Sequence, residues 1–250
     1  MSFRLLEPDS GILLSETSST NSLLKGKEFP PGTWILADFQ SSGRGRKGKS
    51  WSVLGEEPFI FSGKFRSSEN LPHPGLFSLY TGIAVAKTVL AVYPSASSKD
   101  LKIKWPNDIY LSGKKVCGIL IETEKEGESW DWIVGIGINL YGKENPKDLP
   151  EAGFVTTDPD EAGKRSVFLE TLLPNLNDAA LALSSGENRT SYINDRLLWK
   201  GKAVGWTENS SPKNGILLGI DEQGRLLVQN SETGKTVEFI DSPEDFRSLE

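Results

Sequence analysis

Between residues 75 and 93, apolar side chains fall at Leu76, Leu79, Tyr80, Ile83, Ala86, Val89, Leu90 and Tyr93. Steps of three and four put them on one side of a helix, so the spacing predicts a long amphipathic or buried helix. Elsewhere the period is two, or the apolar run is continuous and short. Trp34-Ile35-Leu36-Ala37-Asp38-Phe39 is strand-like, Phe59-Ile60-Phe61 is β-rich, and Leu101-Lys102-Ile103-Lys104-Trp105 alternates. Ile109-Tyr110-Leu111, the turn-forming Ser112-Gly113-Lys114-Lys115, and Val116 to Ile121 predict a β-hairpin, and Asp131 to Leu140 a further strand. Ser18-Ser19-Thr20-Asn21, ahead of Ser22-Leu23-Leu24-Lys25, has the composition of a helix N-cap. Residues 160–198 read as helical, with Pro174 expected to break or kink the segment. From Lys200 onward the texture changes to short β runs at 203–206, 214–220, 224–228 and 236–240, which predict a small barrel or sandwich. The change places a boundary near Trp199, between a domain at 1–199 and a smaller one at 200–250.

Composition narrows the chemistry. The 250 residues are ample for a real core, and 37% hydrophobic with 25% charged residues is ordinary for a globular chain. Met1 to Pro8 has no long apolar region, so no signal peptide is expected, and no stretch is read as a membrane span. One cysteine, Cys117, leaves no internal disulfide and points to a reducing compartment. One histidine, His73, sits between Pro72 and Pro74 and reads as an exposed turn residue rather than a base. A zinc cluster of the usual His/Cys type and a Cys–His dyad are therefore excluded. Chemistry on this chain must run on positioning and on Lys/Arg charge.

That charge is concentrated in one place. Gln40-Ser41-Ser42-Gly43-Arg44-Gly45-Arg46-Lys47-Gly48-Lys49-Ser50-Trp51 packs three glycines and four cations into a chain of net charge −6. Glycine lets backbone N–H groups approach a ligand, and arginine presents a fork matched to carboxylate and phosphate oxygens. Gly43 to Ser50 also satisfies G-x-x-x-x-G-K-S, but the phosphate-binding loop of that pattern needs a helix directly after it. Here Trp51 to Pro58 and then a β-rich run follow. The acidic net charge leaves no wider basic face for nucleic acid. Read alone, the stretch stays open between a loop that closes on an anion and a solvated basic turn.

Three further segments stand beside it: Ser19-Thr20-Asn21, Lys104-Trp105-Pro106-Asn107-Asp108 with Lys115, and Gly135-Ile136-Gly137-Ile138-Asn139. Singly, each has a structural explanation: a cap, a strand end, a hairpin-tip charge, a closely packed strand. In this order and spacing the set resembles the biotin protein ligase family. The counterparts are its Gly-Arg-Gly-Arg-x-Gly loop, its Lys-Trp-Pro-Asn-Asp segment, its Lys-x-x-Gly-Ile-Leu segment and its Gly-x-Gly-Ile-Asn strand. Lys115-Val116-Cys117-Gly118-Ile119-Leu120 carries Cys117 where the family commonly has alanine. The resemblance runs from about Ser15 to Asn139 and is fainter beyond.

The resemblance implies an α+β fold: a mixed β-sheet flanked by helices, like a class II synthetase, with a small C-terminal SH3-like β-barrel. It implies that biotin is activated by MgATP to biotinyl-5′-AMP and passed to a lysine of a biotin carboxyl carrier protein. Mg²⁺ would travel with ATP, and biotin and ATP would be substrates. Ser19, Thr20, Asn21 and Gln40 would meet biotin's ureido head, and Gly43, Arg44, Gly45, Arg46, Lys115 and Gly118 its chain and carboxylate. Arg46, Trp51, Asn107, Lys115, Asn139 and Arg247 would meet the nucleotide. Lys115, Arg44 and Arg46 would supply catalytic charge, and Asp108 would orient Lys115 or deprotonate the acceptor lysine. About fifteen residues precede the first motif, too few for the helix-turn-helix of some members. The expectation is thus the ligase-only form: cytoplasmic, without DNA or membrane binding, monomer or homodimer. A lipoate or octanoyl transferase-like enzyme and a non-catalytic biotin-binding protein are the alternatives; the first lacks the Gly-Arg loop, and the second needs neither Lys115 nor Asn139.

Overall fold

The computed structural model describes residues 3–51, 54–68, 74–144 and 147–250. His73 and the Ser52-Val53 pair after Trp51 lie outside the described residues. In chain order the elements are β1 (Phe3–Arg4), β2 (Gly11–Thr17), α1 (Thr20–Leu23), β3 (Trp34–Gln40), β4 (Glu57–Ser67), α2 (Pro74–Val92), β5 (Leu101–Lys104), β6 (Asp108–Leu111), β7 (Lys114–Glu126) and β8 (Ser129–Tyr141). Then follow α3 (Arg165–Ser185), α4 (Thr190–Arg196), β9 (Ala203–Glu208), β10 (Ser211–Ile220), β11 (Leu226–Asn230), β12 (Thr236–Phe239) and β13 (Glu244–Ser248).

The first sheet is mixed and eight-stranded, ordered β2-β3-β4-β8-β7-β6-β5, with β1 on β4. β2 and β3 are parallel and the other pairs antiparallel. Its register sorts side chains cleanly. Phe59 and Phe61 of β4 lie opposite Ile138 and Ile136 of β8. With Phe65, Trp132 and Val134 these build the core beneath α2 and α3. Phe77 of α2 meets Trp132 edge-on at 6.0 Å, and Phe168 of α3 meets Phe59 at 5.0 Å. Stepping by one residue turns every side chain to the other face. There Gly118, Gly137 and Ile60 form one row across β7, β8 and β4; Leu120, Gly135 and Ser62 form the next; Glu122, Ile133 and Lys64 the third. The first two rows are mostly small or polar and form the floor of a cleft, while Ile133 of the third joins Leu24 and Ile35 in a small second apolar cluster.

Two expectations need correction, and a third holds with one detail added. α2 is buried nearly all round, and by length and composition it is apolar enough to cross a membrane, although the sequence reading found no such stretch; 72% of that window is buried inside the fold, as in a core helix. Pro174 does not break α3, which runs through it. Its missing N–H costs one backbone bond, while buried Leu172, Leu173 and Leu176 hold both sides of the proline in the core. The interruption falls instead at Gly186, whose φ of 73° ends the helix with cap bonds to Ala182 and Leu183. Last, the C-terminal strands form a five-stranded antiparallel sheet ordered β12-β11-β10-β9-β13. It is compatible with an SH3-like unit, but among the described residues no pairing closes β13 onto β12. The strand β13 itself carries few apolar residues and was not anticipated.

Candidate active site

A cleft of about 570 Å³ lies over the glycine rows, lined by α1, the Gly/Arg segment, the β5–β6 turn, β7, β8 and residues 242–246. Two glycines of its floor are there for close approach. A Cβ on Gly135 would sit 2.2 Å from Asn21 Oδ1, and one on Gly137 would sit 2.5 Å from the Trp51 indole. The same indole covers Gly118, the cross-strand partner of Gly137. Trp51 thus lies flat on the sheet where no side chain intervenes.

At the inner end, Ser19, Thr20 and Asn21 are each more than nine-tenths buried. Ser19 caps α1, its Oγ accepting from Ser22 N. Asn21 Nδ2 donates to Glu122 Oε2 at 2.9 Å and to Leu120 O at 3.4 Å. Ser62 Oγ lies 2.6 Å from Asn21 Oδ1 and 2.7 Å from Thr20 Oγ1. A hydroxyl has one proton, and Asn21 Oδ1 can only accept. Ser62 therefore donates to Asn21 and accepts from Thr20. The consequence is a defined polarity: Ser19 keeps a hydroxyl proton to give, while Thr20 presents lone pairs.

The Gly/Arg segment is a closed turn. Arg44 bridges Ser50, Trp51 N donates to Gly43 O at 2.9 Å, and Lys47 takes a positive φ of 54° in a short 3₁₀ turn at Arg46–Gly48. A Cβ on Gly43 would meet Trp51 O at 2.5 Å and Gln40 Nε2 at 2.7 Å, so this glycine is also required by proximity. Among the described residues the next element after this turn is not an α-helix but the strand β4, which begins at Glu57. The Walker reading fails on the geometry it depends on. Arg44, Arg46 and Lys47 are paired with protein groups. Arg44 Nη2 is 2.8 Å from Glu122 Oε2; Arg46 pairs with Asp241 and donates to Asn107 Oδ1 at 3.3 Å; Lys47 Nζ donates to Ser242 O at 2.6 Å.

On the other wall, the β6–β7 pairing brings Lys115 beside Asp108, with Nζ 2.8 Å from Oδ2. Lys115 Nζ also lies 5.6 Å from the Trp51 ring centroid. Asp108 Oδ1 is buried without a hydrogen-bond partner. Asn107 is committed: its Nδ2 donates to Ile119 O at 2.9 Å, and its Oδ1 receives Arg46.

Ser19, Thr20, Asn21, Gln40, Arg44, Gly45, Arg46, Trp51, Asn107, Asp108, Lys115 and Gly118 all line this one cleft. Gly43 stands behind it, bracing the turn. Asn139 is not on the cleft wall; it is 2% exposed and donates to Gly153 O at 3.1 Å. Arg247 lines a neighbouring hollow with Lys104, Trp199 and Phe246, and its guanidinium donates to Asp245 O.

Three participants, Ser62, Glu122 and Asp241, carry no sequence motif, and a fourth stands in its motif without an assigned role. Ser62 and Glu122 each follow directly on an apolar run, Phe59-Ile60-Phe61 and Ile119-Leu120-Ile121, a signal that could have marked them. Partial burial pushes Glu122 upward, but hydrogen bonds from Lys25 and Asn21 and the charge of Arg44 hold it below the usual carboxylate range. Asp241 is likewise held low: burial raises it, while the Arg46 charge and the Ser242 N–H lower it further. Nothing in the sequence joins Asp241 to a loop 195 positions away. Lys104 is the fourth. Burial lowers its ammonium pKa, against the opposing charges of Asp108 and Glu151, and its Nζ lies 4.8 Å from the Trp199 ring centroid. Among the described residues no group of three or more His, Cys, Asp or Glu side chains could hold a metal ion.

Comparison with known proteins places this architecture. The model of the biotin/lipoate A/B protein ligase family matches residues 11–139. The biotin–[acetyl-CoA-carboxylase] ligase of Paracoccus denitrificans is 30% identical over 240 residues, 87% of this chain and 93% of that protein. The bifunctional ligase/repressor BirA of Escherichia coli is 30% identical over 237 residues, 90% of this chain and 70% of that protein. The biotin protein ligase of Aquifex aeolicus, solved in complex with biotin and ATP, superposes with a TM-score of 0.81 at 26% identity, covering 96% of this chain and 99% of that one. A glycine floor, a buried Ser-Thr-Asn pocket and a cation-rich loop facing Lys115 therefore have a family: the chain belongs to the biotin/lipoate A/B protein ligases, among the biotin protein ligases.

Proposed function

We propose that the protein joins biotin to ATP as biotinyl-5′-AMP and then transfers the biotinyl group to one lysine of a biotin carboxyl carrier protein or domain. The observation that carries this reading is the convergence on one floor of a polar pocket, a loop bearing Arg44 and Arg46, and the Lys115–Asp108 pair. In the first half-reaction a biotin carboxylate oxygen attacks the α-phosphorus of ATP and pyrophosphate leaves. In the second the acceptor ε-amine attacks the carbonyl of the mixed anhydride, AMP leaves, and the amine gives up a proton. Neither step needs a nucleophile from the enzyme. The first needs two anions held together, and both need charge stabilised on phosphate oxygens, which fixed cations and N–H groups do.

The ureido head fits the pocket's polarity. Its carbonyl accepts from Ser19, its N–H donates to Thr20, and Gln40 stands at the rim. Leaving such a buried group unpaired costs about 1–3 kcal/mol, so the pocket selects a urea over an apolar ring. The valeryl chain runs beside Trp51 toward Lys115, which bridges the biotin carboxylate and the α-phosphate. Arg44 and Arg46, with the loop N–H groups, hold the phosphate. Asp108 orients Lys115 through their ion pair and is the nearest carboxylate for the acceptor proton. Asn107 serves the nucleotide side by holding Arg46 rather than by its own amide. In their present positions Asn139 and Arg247 would reach the nucleotide only after movement, and they stay secondary in this reading.

Mg²⁺ carried on ATP would neutralise part of the phosphate charge, and Asp108, a carboxylate of the cleft wall whose Oδ1 has no hydrogen-bond partner, would hold it from the protein side. The reading places the reaction in a reducing cytoplasm, supported by the single buried thiol of Cys117. It includes no DNA partner, supported by the net charge of −6. Incubating the protein with biotin, MgATP and a carrier domain should add one biotinyl group to one lysine by mass spectrometry. No mass gain with an intact, folded carrier domain would contradict the transfer step.

A further inference from the structure

Glu122 has no part in the reaction just described, yet three cleft elements meet on its carboxylate. It lies in the third row of the floor, one row beyond Leu120, Gly135 and Ser62. Its Oε2 accepts from Asn21 Nδ2 at 2.9 Å and from Arg44 Nη2 at 2.8 Å, and its Oε1 accepts from Lys25 Nζ at 2.8 Å. The side chain is 20% exposed, so these contacts are partly shielded from water. Lys25 fixes one oxygen and thereby turns the other toward Asn21 and Arg44.

The two donors on Oε2 belong to different parts of the site. Asn21 is locked on all sides: its amide hydrogens go to Glu122 and Leu120, and its Oδ1 takes the Ser62 proton that orders Thr20. Its rotamer therefore sets the polarity of the buried pocket, and Glu122 is one of the groups that set the rotamer. Arg44 is a side chain of the Gly/Arg loop, and its recorded ion pair is with the same oxygen. Anything that fixes Asn21 fixes the acceptor on which Arg44 is seated, and the reverse holds equally, since a binding coupling is reciprocal.

We propose that Glu122 is a positioning residue that couples the buried Ser19-Thr20-Asn21 pocket to the Gly/Arg loop through Arg44, so that filling the pocket with biotin and seating the loop are one event. The inference rests on the biotin ligase reading. It gives biotin alone, without nucleotide, the ability to order the loop.

The test uses the full chain in four forms: wild type, Arg44→Ala, Glu122→Gln and the double variant. Melting temperature and far-ultraviolet circular dichroism confirm folding. Biotin affinity is measured by calorimetry, and tryptic cutting at Arg44 to Lys49 is followed with and without biotin. In wild type, biotin alone protects the loop. In Glu122→Gln, biotin binds about tenfold more weakly and no longer protects it. Arg44→Ala weakens biotin binding in the wild-type background but adds nothing in the Glu122→Gln background, the signature of a shared contact. Should Glu122→Gln fail to fold, the cycle is run with Glu122→Asp, which keeps the charge but withdraws it by one methylene, and the same non-additivity is expected. Multiplying effects of the two substitutions, or wild-type protection by biotin in the Glu122 variant, would overturn the coupling. Wild-type binding with such additivity removes this inference alone, whereas no biotin binding by the wild type removes the ligase reading and this inference with it.

Discussion

At the scale of single residues, the proposed reaction puts its heaviest chemical load on Lys115. Its ammonium is held 2.8 Å from Asp108 at the mouth of the glycine floor. Removing a charge contact made in the transition state costs about 2.7–4 kcal/mol. Lys115→Ala should therefore slow adenylate formation at least roughly a hundredfold in a single-turnover assay, with melting temperature near that of wild type. A wild-type rate would remove Lys115 from the mechanism. Much of this site was legible because its residues are short-range punctuation. Gly135 and Gly137 alternate with Ile136 and Ile138, so period two assigns one set to the core and the other to a ligand-facing surface. Glu122 and Asp241 were not legible in the same way. Their roles depend on register and on contacts across 78 and 195 positions, which no local pattern encodes.

At the scale of elements, the sheet face beyond the cleft is held by a buried ion cluster. Lys64 Nζ, 1% exposed, lies 3.2 Å from Asp131 and donates to the carbonyls of Gly26 and Phe29. Arg66 clamps the same carboxylate at 2.5 and 2.9 Å. The cluster pins the α1–β3 connection to β4 and β8. Asp131→Ala leaves the Lys64 ammonium buried without its counter-ion, which should destabilise the fold by about 3–5 kcal/mol in urea unfolding. Burial alone would raise the Asp131 carboxyl, but the bonds from Arg66 and Lys64 outweigh it and hold the pKa below its ordinary value. The sign follows. The contribution is fully present above about pH 4 and is lost as pH falls through the lowered native value. Stability of the wild type should fall more steeply below that point than stability of Asp131→Asn, and parallel curves would exclude the linkage. The strands of this cluster were predicted in outline from apolar runs. The pairing of Lys64 with Asp131 was not, because a charged residue inside a strand pattern looks solvent-facing until its partner is known. Pro174 misled for a related reason: the cost of a missing backbone bond is local, while the packing that outweighs it comes from α2.

At the scale of the whole molecule, the Gly/Arg loop joins the two sheets. Arg46 and Lys47 reach Asp241 and Ser242, just ahead of β13, and residues 242–246 complete the cleft wall. A closed loop positions the phosphate and also keeps a reactive anhydride from water and stray amines. Arg46→Gly deletes the anchors to Asp241 and Asn107 and adds a flexible residue. Adenylate should still form on Lys115 and the remaining donors, but it should escape sooner. Serum albumin added to the reaction should then become biotinylated on a streptavidin blot, more strongly than with wild type. Unchanged albumin labelling alongside intact adenylate formation would show that the loop does not retain the intermediate.

In the proposed reaction one cleft activates the carboxylate of biotin with ATP before any acceptor is present. Isotope exchange between pyrophosphate and ATP, measured with the protein, Mg²⁺ and no acceptor, tests it most directly. Exchange should be rapid, require biotin and collapse in Lys115→Ala. Exchange independent of biotin, or none at saturating biotin and ATP with a folded protein, would contradict it.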